Sequence, residues 1–197
     1  MTAVQVSPAL LVDALGIPPA RARLWAAPIT EAAAFAELDT AERLSAFLGQ
    51  IGHETGRLRW LSELWGPTAQ QLRYEPVTTL SRRLGNTQPG DGRRMAGQGA
   101  IQTTGRYNFA RLRDRLRKRL GAAGVPDFEQ YPPLVARPQW AALAAADYWV
   151  DRGLNRWADA GDQLTLTKRI NGGTNGLADR LMLTAQARAA CILNGVF

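Results

Sequence analysis

The chain has 197 residues, 46% of them apolar and 21% charged, and 24 Lys and Arg against 17 Asp and Glu leave a net charge of +7. This composition fits a single catalytic or binding domain spanning 1–197, two small lobes at most, and excludes a disordered chain. No run approaches the roughly 18 to 20 apolar residues of a membrane span, and the first twenty residues lack the basic-then-apolar order of a secretory signal.

In chain order, residues 7–15 and 18–27 read as short opening helices, broken at Gly16-Ile17-Pro18. Residues 29–36 read as a third. Asp39-Thr40-Ala41-Glu42 gives a capping-box-like start to the next helix. There Leu44, Phe47, Leu48 and Ile51 recur at the spacing of one buried face. Three residues on, Glu54 falls at the edge of that apolar stripe. A carboxyl so desolvated favours its protonated form, the form a general acid must hold.

Gly56 is the expected helix stop. On one continuous helix Glu54 and Glu63 would point to opposite faces. A stop at Gly56 lets the chain fold back, with at most a small hairpin over 57–63. His53-Glu54 opens like a zinc-protease helix, but Arg57 stands where the second histidine belongs. With His53 and Cys191 each the only residue of its type, no metal site is expected. No phosphate-binding loop is present either, and no cofactor is expected.

Residues 66–105 are rich in Gly, Pro and amides, interrupted by a short helix at 77–84. Residues 107–120 return to helix, with Phe109, Leu112, Leu116 and Leu120 as its buried side. A Pro-rich link from Tyr131 to Pro138 leads into a helix over 139–151. Gly161-Asp162 caps a short helix, Asn171-Gly172-Gly173 breaks the chain, and 177–193 closes it. Cys191 reads as a small buried residue, and a lone cysteine fits a reducing compartment. The architecture expected is all-α.

Six arginines and one lysine fall between Arg106 and Arg119. Such density suits either a solvated helix face or a surface for a polyanion. No nucleic-acid-binding signature accompanies it, so no specific nucleic acid is expected as a partner.

Three segments carry chemistry together: 47–56 with Glu63 beyond; Gly90-Asp91-Gly92 leading into 97–109; and 167–180, which contains Ile170-Asn171-Gly172-Gly173 and Leu177-Ala178-Asp179-Arg180. In these the chain resembles glycoside hydrolase family 19, the chitinase-like lysozymes, and most closely its bacteriophage endolysin branch. The resemblance covers nearly the whole chain. It implies a lysozyme-like superfamily fold of two helical lobes around a substrate groove. It also implies Glu54 as general acid, Glu63 as the base acting on a water, and Thr104 helping to hold that water. Gln102, Asn108, Tyr107 and Asn171 are implied at the sugar, and Arg180 as a positive group behind the acid, grouped with the substrate-binding residues.

Two carboxyls flanking the scissile bond are what glycoside hydrolysis needs, and neutral amides and hydroxyls suit a sugar. Trp60, Trp65 and Tyr74 add flat surfaces nearby. Gln98 and Thr103 depart from the family's usual arginine and leucine. Glu75, close to the plant chitinase spacing, is the alternative base. The function implied is cleavage of peptidoglycan glycan strands as a muramidase for host cell lysis. The mechanism would be inverting, and the protein a monomer held in the host bacterial cytoplasm until release. Its basic helix 106–119 would meet the anionic envelope in place of a separate wall-binding domain. The alternatives are a chitinase acting on N-acetylglucosamine polymers and a non-catalytic basic protein that binds envelope or nucleic acid.

Overall fold

The computed structural model describes residues 4–197, and the expected all-helical class is what it has. The chain divides into two compact units, Met1–Trp60 with Ala145–Phe197, and Leu61–Ala144. Helices α1 (Pro8–Leu15), α2 (Pro19–Phe35) and α3 (Ala41–Glu54) open the first unit. The second holds α4 (Ala69–Leu72), α5 (Thr79–Leu84), α6 (Asp91–Arg94) and α7 (Arg106–Leu120). Helix α8 (Pro138–Asp151) leads back to α9 (Asn155–Asp159), α10 (Gln163–Asn171) and α11 (Leu177–Leu193). Among the described residues no helix is long and apolar enough to cross a membrane.

In the first unit α3 is central, buried without interruption from Leu44 to Gly52. Thr40 caps it by accepting the Arg43 N–H at 3.2 Å. Two glycines set how closely its neighbours approach. A β-carbon on Gly49 would run into Thr184 Oγ1 of α11, and one on Gly52 would stand 2.9 Å from Leu15 Cδ2 of α1. The glycines cost helix propensity, and close packing against α1 and α11 is what the fold gains.

Two expectations differ from the structure. Residues 18–27 and 29–36 form one helix, α2, with Pro28 inside it. The buried row Ala22, Trp25, Ala26, Ile29, Ala32 and Ala33 runs straight through, and its burial outweighs the N–H that proline lacks. Leu120 is 46% exposed and does not continue the Phe109–Leu112–Leu116 face. Over 57–63, where at most a small hairpin is expected, the chain forms none. Instead Gly56, Arg57 and Leu58 all take left-handed backbone angles (φ 55°, 64° and 60°), an arrangement disfavoured for the two side-chain-bearing residues. Thr55, fully buried, holds that turn: its Oγ1 donates to Ile51 O at 2.6 Å and accepts the Leu58 N–H at 2.7 Å.

In the second unit, Phe109, Leu112 and Leu116 of α7 are buried with Met95, Phe128 and Val135, and the Phe128 and Trp140 rings meet edge to face at 5.4 Å. The only β pairing among the described residues is isolated, Ser62 with Gln98 and Gln98 with Thr103. It lays Leu61–Glu63 against Gly97–Gly99, with Glu63 N–H donating to Gly97 O at 2.8 Å and Gly99 N–H to Leu61 O at 2.7 Å.

Candidate active site

Glu54 is the last residue of α3, and its half-buried carboxylate meets a guanidinium. Arg180 of α11 donates from Nη2 to Glu54 Oε1 at 2.5 Å and from Nη1 to Gln50 Oε1 at 2.5 Å. Its Nε reaches Asn175 O at 3.4 Å. Gln50 lies one helical turn before Glu54 and extends the network to Gln163 Oε1 at 3.4 Å. The Arg180 side chain is 1% exposed, with its guanidinium turned to Glu54 and Gln50. The carboxyl expected at the edge of an apolar stripe therefore stands in an ion pair. The close approach at Gly49 is what brings α11 near enough to make it.

The loop before α11 is fixed at both ends. Asn171 Nδ2 donates to Asn175 O at 2.8 Å, and Asn171 Oδ1 accepts the Gly173 N–H at 2.8 Å. His53 Nδ1 stands 2.6 Å from Asp179 Oδ2, and its ring lies flush against Gly176, where any β-carbon would overlap it. Tyr148 is also near. Burial pushes its phenol up; Arg152 opposes this, and the charges of Glu54 and Asp151 add to it. Its hydroxyl donates to Arg169 O at 2.8 Å.

Glu63 is held by groups that carry no charge. Its Oε1 accepts from Gln71 Nε2 at 2.9 Å and lies 3.5 Å from the Tyr74 hydroxyl, and its Oε2 accepts the Gly97 N–H at 2.8 Å. Burial, and then the charge of Glu63, pushes the Tyr74 phenol up. Gly97 is the meeting point of three of the expected residues. A β-carbon there would stand 2.6 Å from Gln102 Oε1 and 3.2 Å from both Glu63 Oε2 and Thr104 Oγ1. Gln102 sits at φ 53°, a conformation costly for a residue with a side chain. Its Nε2 donates to Gly99 O at 3.1 Å, and Thr104 Oγ1 donates to Gln102 O at 2.9 Å.

Glu75 is placed elsewhere, its Oε2 accepting the Gly90 N–H at 3.0 Å and its carboxyl packed against Gly92. Asn108 donates to Thr104 O at 2.7 Å and is exposed. Tyr107 is 54% exposed, with the Arg111 guanidinium 5.5 Å from its ring centre. Sequence reasoning missed Gln50, Gln71, Asp179 and Tyr148. Two signals pointed to the first pair: Gln50 is four residues before Glu54 on the same helix, and Thr68–Gln71 is a capping box. In sequence His53 shows only an incomplete zinc motif, because its contacts with Gly176 and Asp179 are tertiary.

The basic helix is tied into its own unit. Arg106 pairs with Asp91 at 2.5 Å and Glu129 at 3.3 Å. Arg113 pairs with Asp114 at 2.8 Å, Asp127 at 3.0 Å and Glu129 at 3.1 Å. Arg117 donates twice to Val125 O at 3.2 Å. The Asp114 hydrogen bond, then Asp127 and Glu129, outweigh burial and push the Arg113 guanidinium further up.

No family model matches the chain. A Haemophilus influenzae protein described as a glycosyl hydrolase family 19 domain-containing protein is 31% identical over 160 residues, covering 70% of this chain and 74% of that one. The chain therefore belongs to glycosyl hydrolase family 19, a family of glycosidases. Solved structures agree on the fold. Chitinase C from Streptomyces griseus superposes with a TM-score of 0.67 at 20% identity, over 94% of this chain and 76% of that one. A bacterial family 19 chitinase, whose structure was described as revealing differences with plant enzymes, gives 0.66 at 18%, over 94% of each.

Proposed function

We propose that the protein is a glycosidase that hydrolyses β-1,4-linked polymers containing N-acetylglucosamine, with chitin as the substrate best supported. Glu54 donates the proton to the leaving oxygen, and Glu63 activates the attacking water with help from Thr104. The observation that carries this reading is the convergence of Glu63 Oε2, Thr104 Oγ1 and Gln102 Oε1 around Gly97. A carboxylate, a hydroxyl and an amide around one backbone N–H can hold a water and a sugar amide without bringing a cation to the bond. The resemblance implies single displacement with inversion, for which the two carboxyls stand roughly 6.5 to 9.5 Å apart. The chitinases among the solved relatives favour chitin. Gln102, Asn108, Tyr107 and Asn171 are proposed at the sugar, and Arg180 as the residue that positions Glu54.

A second reading is cleavage of peptidoglycan for host lysis, as in the endolysin branch. It is favoured by the placement of Glu63, at the endolysin spacing, in the Gly97 cluster while Glu75 serves the Gly90 loop. One experiment separates the two: incubate the protein with chitin hexamer and with purified peptidoglycan, and identify the new reducing ends by mass spectrometry. Cleavage of chitin alone supports the first reading. New N-acetylmuramic acid ends support the second. Cleavage of neither removes both.

A further inference from the structure

The solvent side of α11 carries an apolar stripe that runs most of its length, with the exposed Arg188 beside it. Ala178, Leu181, Met182, Ala185, Ala189, Ile192 and Leu193 are all exposed, and their spacing of three, one, three, four, three and one places them on one side of the helix. Leu181 is 47% exposed, Met182 50%, Ile192 71% and Leu193 76%. The opposite face, with Arg180, Leu183, Ala187, Ala190 and Cys191, is buried in the unit's own core. The exposed stripe amounts to an area on the order of 500 Å², the size at which apolar patches on soluble proteins are usually functional.

Two features say what covers it. First, apart from Ala178, the stripe is a palindrome about position 187: a large pair, a small residue, then a small residue and a large pair. A two-fold axis requires such self-complementarity, because each contact must occur twice with the roles exchanged. In an antiparallel pair Leu181 would meet Leu193, Met182 would meet Ile192, and Ala185 would meet Ala189 where the helices cross, small enough for close approach. Second, no lysine or arginine lies on the stripe. The charged residues at its flanks are already engaged, Asp179 with His53 and Arg188 with Glu42. A membrane-lying helix carries a polar face rich in Lys and Arg, whereas this stripe is flanked by a single basic residue, Arg188, already paired with Glu42. Two such faces supply on the order of 1,000 Å², approaching the roughly 1,200 Å² at which standard interfaces begin.

We propose that the protein pairs with a second copy of itself, antiparallel, through the outer face of α11, in place of the monomer expected from sequence. The assignment is independent of which glycan is cut. Sedimentation equilibrium of the full chain should give twice the 21.5 kDa chain mass as concentration rises. Leu193→Glu and Leu181→Lys should each weaken association by about tenfold or more, since each buries an unpaired charge against an apolar partner. Mixing the two variants should restore a mixed dimer, because residue 193 of one copy meets residue 181 of the other. Circular dichroism checks that each variant folds, and Ala189→Glu serves if either does not.

A chain that stays at one-copy mass at every concentration overturns the proposal, as does mixing that restores nothing. Monomeric wild-type protein that co-sediments with vesicles of anionic phospholipid also overturns it, and assigns the stripe to a membrane surface instead.

Discussion

The two units differ in how they carry charge. The first, Met1–Trp60 with Ala145–Phe197, has 11 Lys and Arg against 11 Asp and Glu; the second, Leu61–Ala144, has 13 against 6, so the whole net charge of +7 belongs to it. Yet the neutral unit holds its glutamate with a buried cation, and the basic unit holds its glutamate with neutral donors alone. Within the second unit Asp91, Arg106, Glu129, Arg113 and Asp127 form a chain of ion pairs that takes up three of its six acids. Net charge therefore says little about either carboxylate, and the placement of each partner says a great deal. Two glutamates in such different cradles should respond differently to the same change.

The largest effect expected is at Glu54. Glu54→Gln keeps the hydrogen bond to Arg180 but removes the proton donor, a loss of about a hundred- to ten-thousandfold on a natural glycan. Aryl glycosides with acidic leaving groups need no such proton, so their hydrolysis should fall far less. Glu63→Ala should lose activity on both substrates, because the water then has no base. Glu75→Gln should keep the rate on both, its carboxyl being engaged at Gly90. Parallel assays on a chitin oligomer and a nitrophenyl glycoside check this. Equal losses for Glu54→Gln on the two substrates would exchange the assigned roles.

Next comes the cradle of Glu54. Arg180→Met should cost about 3 to 5 kcal/mol of stability, because it leaves Glu54 half-buried without its cation and Gln50 without its donor. Thermal melting is the measurement. Gln71→Ala, which removes one neutral hydrogen bond from Glu63, should cost only about 1 kcal/mol. A reversal of that order would mean the Arg180 network contributes less than its burial indicates.

What was legible in the sequence follows the same division. Helix periodicity located α1, α3, α7, α10 and α11 within a residue or two, and at α1, α3 and α10 the side chains of Ser7, Thr40 and Asp162 cap through local hydrogen bonds. The one-piece α2 was not legible, since proline's local penalty is visible in sequence and the tertiary burial that overrides it is not. The Gly56–Leu58 turn was legible as a stop, but not as three left-handed residues held by Thr55. At the site, the motifs picked out Glu54, Glu63, Gln102 and Thr104. The contact between Arg180 and Glu54, the seat of His53 on Gly176 and the convergence at Gly97 depend on distances between segments far apart in the chain.

Acid should weaken the second unit through Asp91. Burial alone would raise its carboxyl, but the Arg106 hydrogen bond and the Gln88 and Thr87 N–H groups outweigh it and hold Asp91 below the ordinary range. A carboxyl lowered in the folded state contributes stability that is complete above its unfolded value, near pH 4. That stability is lost as pH falls toward the folded value. Asp91→Asn should cost about 2 kcal/mol at neutral pH and flatten the acid limb of a melting-temperature profile. The flattening should be partial, because Asp114 and Asp127 are also held low, by hydrogen bonds to Arg113. An unchanged acid limb would move the acid sensitivity to the first unit.

The smallest effect concerns the charge that is not spent internally. Arg82, Arg83, Arg93 and Lys118 are exposed on the second unit. If the substrate is a wall bearing phosphate and carboxylate, these side chains attract it over distances that salt screens: the Debye length shortens from about 10 Å at 0.1 M to about 3 Å at 1 M. In the proposed mechanism, cleavage of a soluble neutral oligomer depends instead on close hydrogen bonds and the two glutamates. Activity on insoluble peptidoglycan should therefore fall several-fold more steeply with salt than activity on chitin oligomers does. Combining Arg82→Gln, Arg83→Gln and Lys118→Gln should remove most of that difference. These residues are preferred to Arg106, Arg113 and Arg117, whose loss would break the ion pairs and carbonyl contacts of the unit itself. Equal loss on both substrates in the triple variant would mean the three cations support the fold. An unchanged salt slope would place the docking charge elsewhere or remove it from the mechanism.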